Sequence, residues 1–108
     1  MMNVWQKDLP QQLSLTLASI ADEKTMQLFL TDVLTQKEII EISSRLEAAL
    51  MLQAGEKYED IIRKTRLSTR TVARIREWLK NGSGGYRIVF EAANCKEHSQ
   101  HMSPADAE

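Results

Sequence analysis

Between Thr35 and Gly55 the sequence spells one helix with both ends marked, and that helix is apolar on more than one side. Thr35-x-x-Glu38 is a capping box, in which a hydroxyl and a carboxylate each satisfy an orphan amide of the other residue. Ile39, Ile42, Leu46, Ala49 and Leu50 recur at helical spacing along one face, and Gly55 is a natural stop just past the last turn. Ile40, Met51 and Leu52 lie off that stripe. A chain of 108 residues is one domain's worth, with a modest core. It offers no second core for a second apolar face, so that surface needs cover from outside the chain.

The neighbouring segments are helical too. Asp22 can cap a helix whose apolar residues Met26, Phe29, Leu30, Val33 and Leu34 keep the i, i+3, i+4, i+7, i+8 spacing. Before it, Leu9, Leu13, Leu17 and Ile20 fit a helix, although Leu13, Leu15 and Leu17 also alternate as a strand would. With helical neighbours and no strand partner in sight, the segment reads as helix. A short helix carries Tyr58, Ile61, Ile62 and Thr65 on one face. Leu67 sits in a turn, and Ser68 caps a further helix through about Lys80. Asn81 to Gly85 form a loop or hinge, and Tyr86 to about Cys95 can form a last helix. The spacing predicts one helical domain over 1–95, with a helix-turn-helix at about 58–80 and a disordered tail at 96–108. Trp5, Tyr58 and Trp78 read as packing residues rather than ligand contacts.

Composition excludes several classes. At 43% apolar and 27% charged, the chain has enough apolar surface to fold. No apolar run is long enough to cross a bilayer, and no signal pattern opens the chain, so no membrane role is expected. A single cysteine rules out an internal disulfide and points to a reducing cytosol. No paired catalytic carboxylates, activated nucleophile or phosphate loop is evident, so no enzymatic activity is expected. Cys95, His98 and His101 offer three candidate ligands where a structural zinc site wants four, so no metal is expected.

The formal net charge is −1, yet Arg63 to Lys80 hold seven basic residues and one acid, Glu77. A solvated helix face usually mixes signs, whereas a block this one-sided points to an anionic partner. Two short helices around a tight turn, the second one basic, match a helix-turn-helix. Its inward positions, Ile61, Ile62, Leu67, Val72 and Ile75, are all apolar. At 100° per residue, Arg70, Ala73, Arg74 and Glu77 fall opposite Val72, Ile75 and Leu79. Ser68, Thr69, Arg70, Thr71 and Arg74 are therefore the candidate contacts of a recognition helix, with Arg70 suited to a bidentate bond to guanine. Arg63, Lys64, Arg66, Arg76 and Lys80 are candidate phosphate clamps. Arg66 occupies the turn position where φ is positive and glycine is usual.

The run TQKEIIEISSRLEAALMLQAGEKYEDIIRKTRLSTRTVARI resembles the Trp repressor superfamily, its YerC/YecD-like branch in particular. The shared marks are the Thr35-x-x-Glu38 start, Ser44-Arg45-Leu46, Gly55, and Ser68-x-x-Thr71-Val72-x-Arg74. The resemblance implies an all-α fold of six helices containing the helix-turn-helix, assembled as an intertwined homodimer. It implies a transcriptional regulator or repressor bound to double-stranded DNA in a bacterial cytoplasm, nucleoid-associated when bound. In tryptophan-sensing members two arginines and a glycine form the corepressor pocket. Arg45 and Arg74 match the arginines, but Ile75 stands where the glycine would be. No tryptophan cofactor is expected, and Arg45, Arg74 and Ile75 would mark a vestigial pocket. The alternative from another class is a helical dimerisation module whose basic helix meets an acidic protein.

Overall fold

A computed structural model describes residues 3–101, with side chains through Ala93. Among the described residues the chain is all helical, with no strand. A 3-10 turn at Val4–Gln6 precedes six α-helices. These are α1 (Asp8–Ala18), α2 (Glu23–Val33), α3 (Gln36–Gln53), α4 (Tyr58–Thr65), α5 (Thr69–Asn81) and α6 (Gly85–His101). The span read as one domain is grouped into two compact units, Met1–Glu41 and Ile42–Glu108.

The first unit is built from local signals. Asn3 caps the 3-10 turn by accepting the Trp5 amide at 3.0 Å. The segment that could have alternated as a strand is helix α1. Asp22 caps α2, its Oδ2 accepting the Thr25 amide at 2.9 Å. The predicted capping box is complete: Glu38 N–H donates to Thr35 Oγ1 at 3.1 Å, and Thr35 N–H donates to Glu38 Oε1 at 2.9 Å. No described residue of this unit is buried, and Leu9, Leu15 and Leu28 are among its exposed apolar side chains.

The second unit contains the core. Ala48, Ala49 and Met51 of α3 cluster with Ile61 of α4, Val72 and Ile75 of α5 and Phe90 of α6. Leu52, Tyr58, Ile62, Leu67, Leu79 and Tyr86 pack around them, and the rings of Tyr86 and Phe90 lie 5.8 Å apart. Helix α3 does not bury the face that its stripe suggests. Only Ala49 of that stripe is buried, while Ile42, Leu46 and Leu50 are 52%, 44% and 42% exposed. Met51 and Leu52, off the stripe, supply the core contacts instead. Ala48 and Ala49 of α3 share that core with Ile61 of α4 and with Val72 and Ile75 of α5.

The helix ends follow from chain chemistry. Gly55, at φ +83°, ends α3 in a Schellman motif: its N–H donates to Leu52 O, and Glu56 N–H donates to Met51 O, both at 3.0 Å. At Gly82 the constraint is space, since a Cβ there would stand 2.5 Å from the Trp78 carbonyl oxygen. The loop is shorter than predicted, because Asn81 belongs to α5 and Gly85 to α6. Helix α6 runs past Cys95 to His101, into the span read as tail. No glycine or proline interrupts residues 86–101. Residues 102–108 of that tail lie outside the described residues.

The hydrogen bond donated by the Thr25 backbone N–H holds the Asp22 carboxyl below the ordinary aspartate range. A depressed folded-state pKa stabilises the fold above the unfolded value, and the contribution is lost as pH falls through the folded one. Asparagine caps about as well as aspartate without titrating. Asp22→Asn should therefore flatten the acid limb of α2 helicity, followed through the Thr25 amide by NMR. Identical acid limbs in the two proteins would contradict this role.

Candidate nucleic-acid interface

Helices α4 and α5 frame the three-residue turn Arg66–Ser68 that the spacing predicts. Arg66 is the one non-glycine residue with positive φ among the described residues, at +64°, and its N–H donates to Ile62 O at 2.8 Å. The turn is held from beneath by Thr65, the one buried polar side chain among the described residues. Its hydroxyl donates to Ile61 O at 2.7 Å and accepts the Leu67 amide at 3.3 Å. Ser68 caps α5: its Oγ accepts the Thr71 amide, and its hydroxyl donates to Thr71 Oγ1, both at 3.1 Å.

The inward and outward faces of α5 separate as the 100° spacing requires. Val72 and Ile75 are fully buried, whereas Thr69, Arg70, Ala73, Arg74, Arg76, Glu77 and Lys80 are exposed. The acid on this helix, Glu77, accepts a bond from Asn81 Nδ2 at 2.7 Å, so it is occupied within the helix. The side chains of Arg66, Arg70, Arg74, Arg76 and Lys80 have no hydrogen-bond or ion-pair partner among the described residues. Arg63 pairs with Asp60 at 3.2 Å, one turn away. Lys64 reaches Glu47 on α3 at 2.8 Å. That bond, followed by the carboxylate's charge, raises the Lys64 pKa above its ordinary value. The basic block is thus of two kinds: two cations with carboxylate partners, and five open to solvent.

Of the three residues read as a vestigial pocket, Arg45 and Arg74 are exposed, while Ile75 is wholly inside the core. Trp78, read as packing, is 46% exposed on the flank of α5. It lines an apolar cavity of about 680 Å³ together with Leu46, Tyr86 and Phe90. Sequence reasoning missed Glu47 and Arg87. Glu47 lies seventeen residues from its partner, and Arg87 lies outside the basic block. Cys95, His98 and His101 lie outside the residues whose side chains are described. Among the described residues, no group of three or more His, Cys, Asp or Glu converges. None of the described helices is long and apolar enough to cross a membrane.

Among the described residues, α4, the left-handed turn and the capped, basic α5 have the arrangement of a helix-turn-helix. Residues 9–94 match the Trp repressor protein family, and the chain belongs to that family. It is 32% identical over 80 residues to the uncharacterised protein YerC of Bacillus subtilis (strain 168), covering 74% of this chain and 77% of YerC. It is also similar to the crystal structure of a TrpR-like protein from Eubacterium eligens ATCC 27750. The TM-score is 0.78 at 36% identity, over 83% of this chain and 93% of that one. These likenesses place it with the YerC-like members.

The left-handed turn gives a test of local strain. A side chain at positive φ costs about 1 kcal/mol, partly offset by the greater unfolded-state freedom of glycine. Arg66→Gly should raise stability by up to about 1 kcal/mol, and Arg66→Val, β-branched, should lower it. Denaturant melts read both. A loss of stability in the glycine variant would show that the arginine side chain holds the turn.

Proposed function

We propose that the chain is a transcriptional regulator that binds double-stranded DNA through α5 as a homodimer. One observation carries the reading. The exposed faces and turn of a helix-turn-helix present five unpartnered cations, on a chain that is slightly acidic as a whole. The first turn of α5 offers base-edge chemistry in Thr69 and Arg70, with Arg74 one turn further on the same side. Arg66, Arg76 and Lys80 suit phosphate contacts that set register. Arg63 and Lys64 join them by exchanging their carboxylate partners for phosphates.

Dimerisation is supported by what one chain leaves uncovered. The N-terminal unit buries none of its described residues, and Ile42, Leu46 and Leu50 stay exposed along α3. Leu46 also lines the large apolar cavity beside Trp78. A second copy would cover these faces and present two recognition helices to half-sites about 34 Å apart, one helical turn of DNA. The mass in solution at micromolar concentration should be twice the chain's 12.3 kDa. Light scattering that returns the single-chain value would remove the dimer.

Reader and clamp separate by mutation. Arg70→Ala should cost about 1–3 kcal/mol on the preferred sequence and relax selection at one base step per half-site. Lys80→Ala should weaken all sequences about equally. Selection from randomised duplexes measures both, and identical profiles for the two variants would refute the assignment.

The family's amino-acid corepressor does not suit this chain. Ile75 fills the position where a glycine would let an aromatic ring reach the backbone, and it is fully buried. A ligand at about 100 times its Kd stabilises a fold by roughly 2.7 kcal/mol, a melting shift on the order of 10 °C for a domain of this size. Millimolar L-tryptophan should leave the melting temperature unchanged. A clear rise, or DNA binding that needs the amino acid, would overturn this.

A further inference from the structure

A second concavity lies on the opposite flank of α5 from Trp78. Arg76, Leu79 and Lys80 of α5, Arg87 of α6, and Leu52 and Gln53 of α3 line an open concavity of about 240 Å³. Its wall holds three cations and no acid. None of the three has a hydrogen-bond or ion-pair partner among the described residues. Elsewhere in the helix-turn-helix, Arg63 and Lys64 have carboxylates beside them. Like charges gathered around one small volume repel, and the arrangement is relieved by an anion placed among them. The floor is apolar: Leu52 and Leu79 are half-buried and pack against the core. Gln53 adds an amide donor at the rim.

We propose that this concavity is a binding site for a small phosphomonoester with an apolar body, and that its occupancy weakens DNA binding. A phosphomonoester carries about −1.5 to −2 charges at neutral pH and three strong acceptor oxygens. Two guanidinium forks and an ammonium group match that head, since each fork can engage two oxygens at once. The leucine floor takes the body. The volume is below the roughly 300–1,000 Å³ of pockets for drug-sized ligands, so the body is a single ring or a short chain. The regulatory half rests on the DNA-binding reading, because Arg76 and Lys80 are also phosphate clamps there. A ligand that neutralises them removes two contacts from the DNA interface. The site itself stands on the concavity alone.

The test separates the two halves. Phenyl phosphate is titrated into the full chain without DNA, followed by the backbone amides of Leu79 and Arg87, beside inorganic phosphate, benzoate and phenol. Phenyl phosphate should saturate and bind about tenfold or more tighter than each of the three. Arg87→Gln and Gln53→Glu, both at exposed positions, should each weaken it by about tenfold with the fold intact by circular dichroism. Phenyl phosphate binding no tighter than inorganic phosphate, or indifference to both substitutions, marks an adventitious ion only and overturns the site. In the second arm, phenyl phosphate should weaken duplex binding by the unsubstituted chain, and about tenfold more of it should be needed for the same effect on Arg87→Gln. Saturation with unchanged DNA affinity overturns the regulatory half. Saturation in a chain that binds no DNA at low salt keeps the site and removes the DNA reading.

Discussion

The burial of Val72 and Ile75 against Ala48, Ala49 and Ile61 is the contact on which the rest depends. It fixes the rotation of α5 about its own axis. A helix whose apolar edge is committed to a core has no freedom in what its other edge shows, so Arg70 and Arg74 must face water. Each isoleucine contributes roughly 1.5–3 kcal/mol by leaving water, and truncating one to alanine removes about 2–5 kcal/mol. No exposed contact of the helix-turn-helix approaches that scale. Charge on α5 therefore sets what it meets, while apolar packing sets where it points.

The turn between α4 and α5 shows the same division of labour at smaller scale. Thr65 satisfies two backbone groups from inside, and Ser68 satisfies one amide from outside. Between them Arg66 takes a left-handed conformation that most residues avoid. The surrounding bonds offset that strain, and a cation results where glycine would have left none.

Local signals were the most legible. The caps at Asp22, Thr35 and Ser68, the stop at Gly55 and the left-handed Arg66 all follow from side-chain chemistry within a few residues. The face of α3 was less so. Periodicity tells which residues share a side, but the buried side carries Ala48 and Ala49, and small residues weigh little in an apolar pattern. The Lys64–Glu47 pair spans two helices, so no spacing rule reveals it. Arg87 joins Arg76 and Lys80 only once α6 has folded beside α5 and α3. The end of α6 was missed because absence of periodicity was read as absence of helix. A stretch without glycine or proline can stay helical without an apolar stripe.

The central claim is that α5 and the turn before it carry five open cations to the phosphates of duplex DNA. Its most direct measurement is the affinity for duplex DNA as salt is varied. Each phosphate neutralised contributes about −0.9 to the slope of log affinity against log salt. With several contacts in each half of a dimer, the slope should be about −4 or steeper. A slope near zero, or no binding to duplex DNA at low salt, would contradict the account.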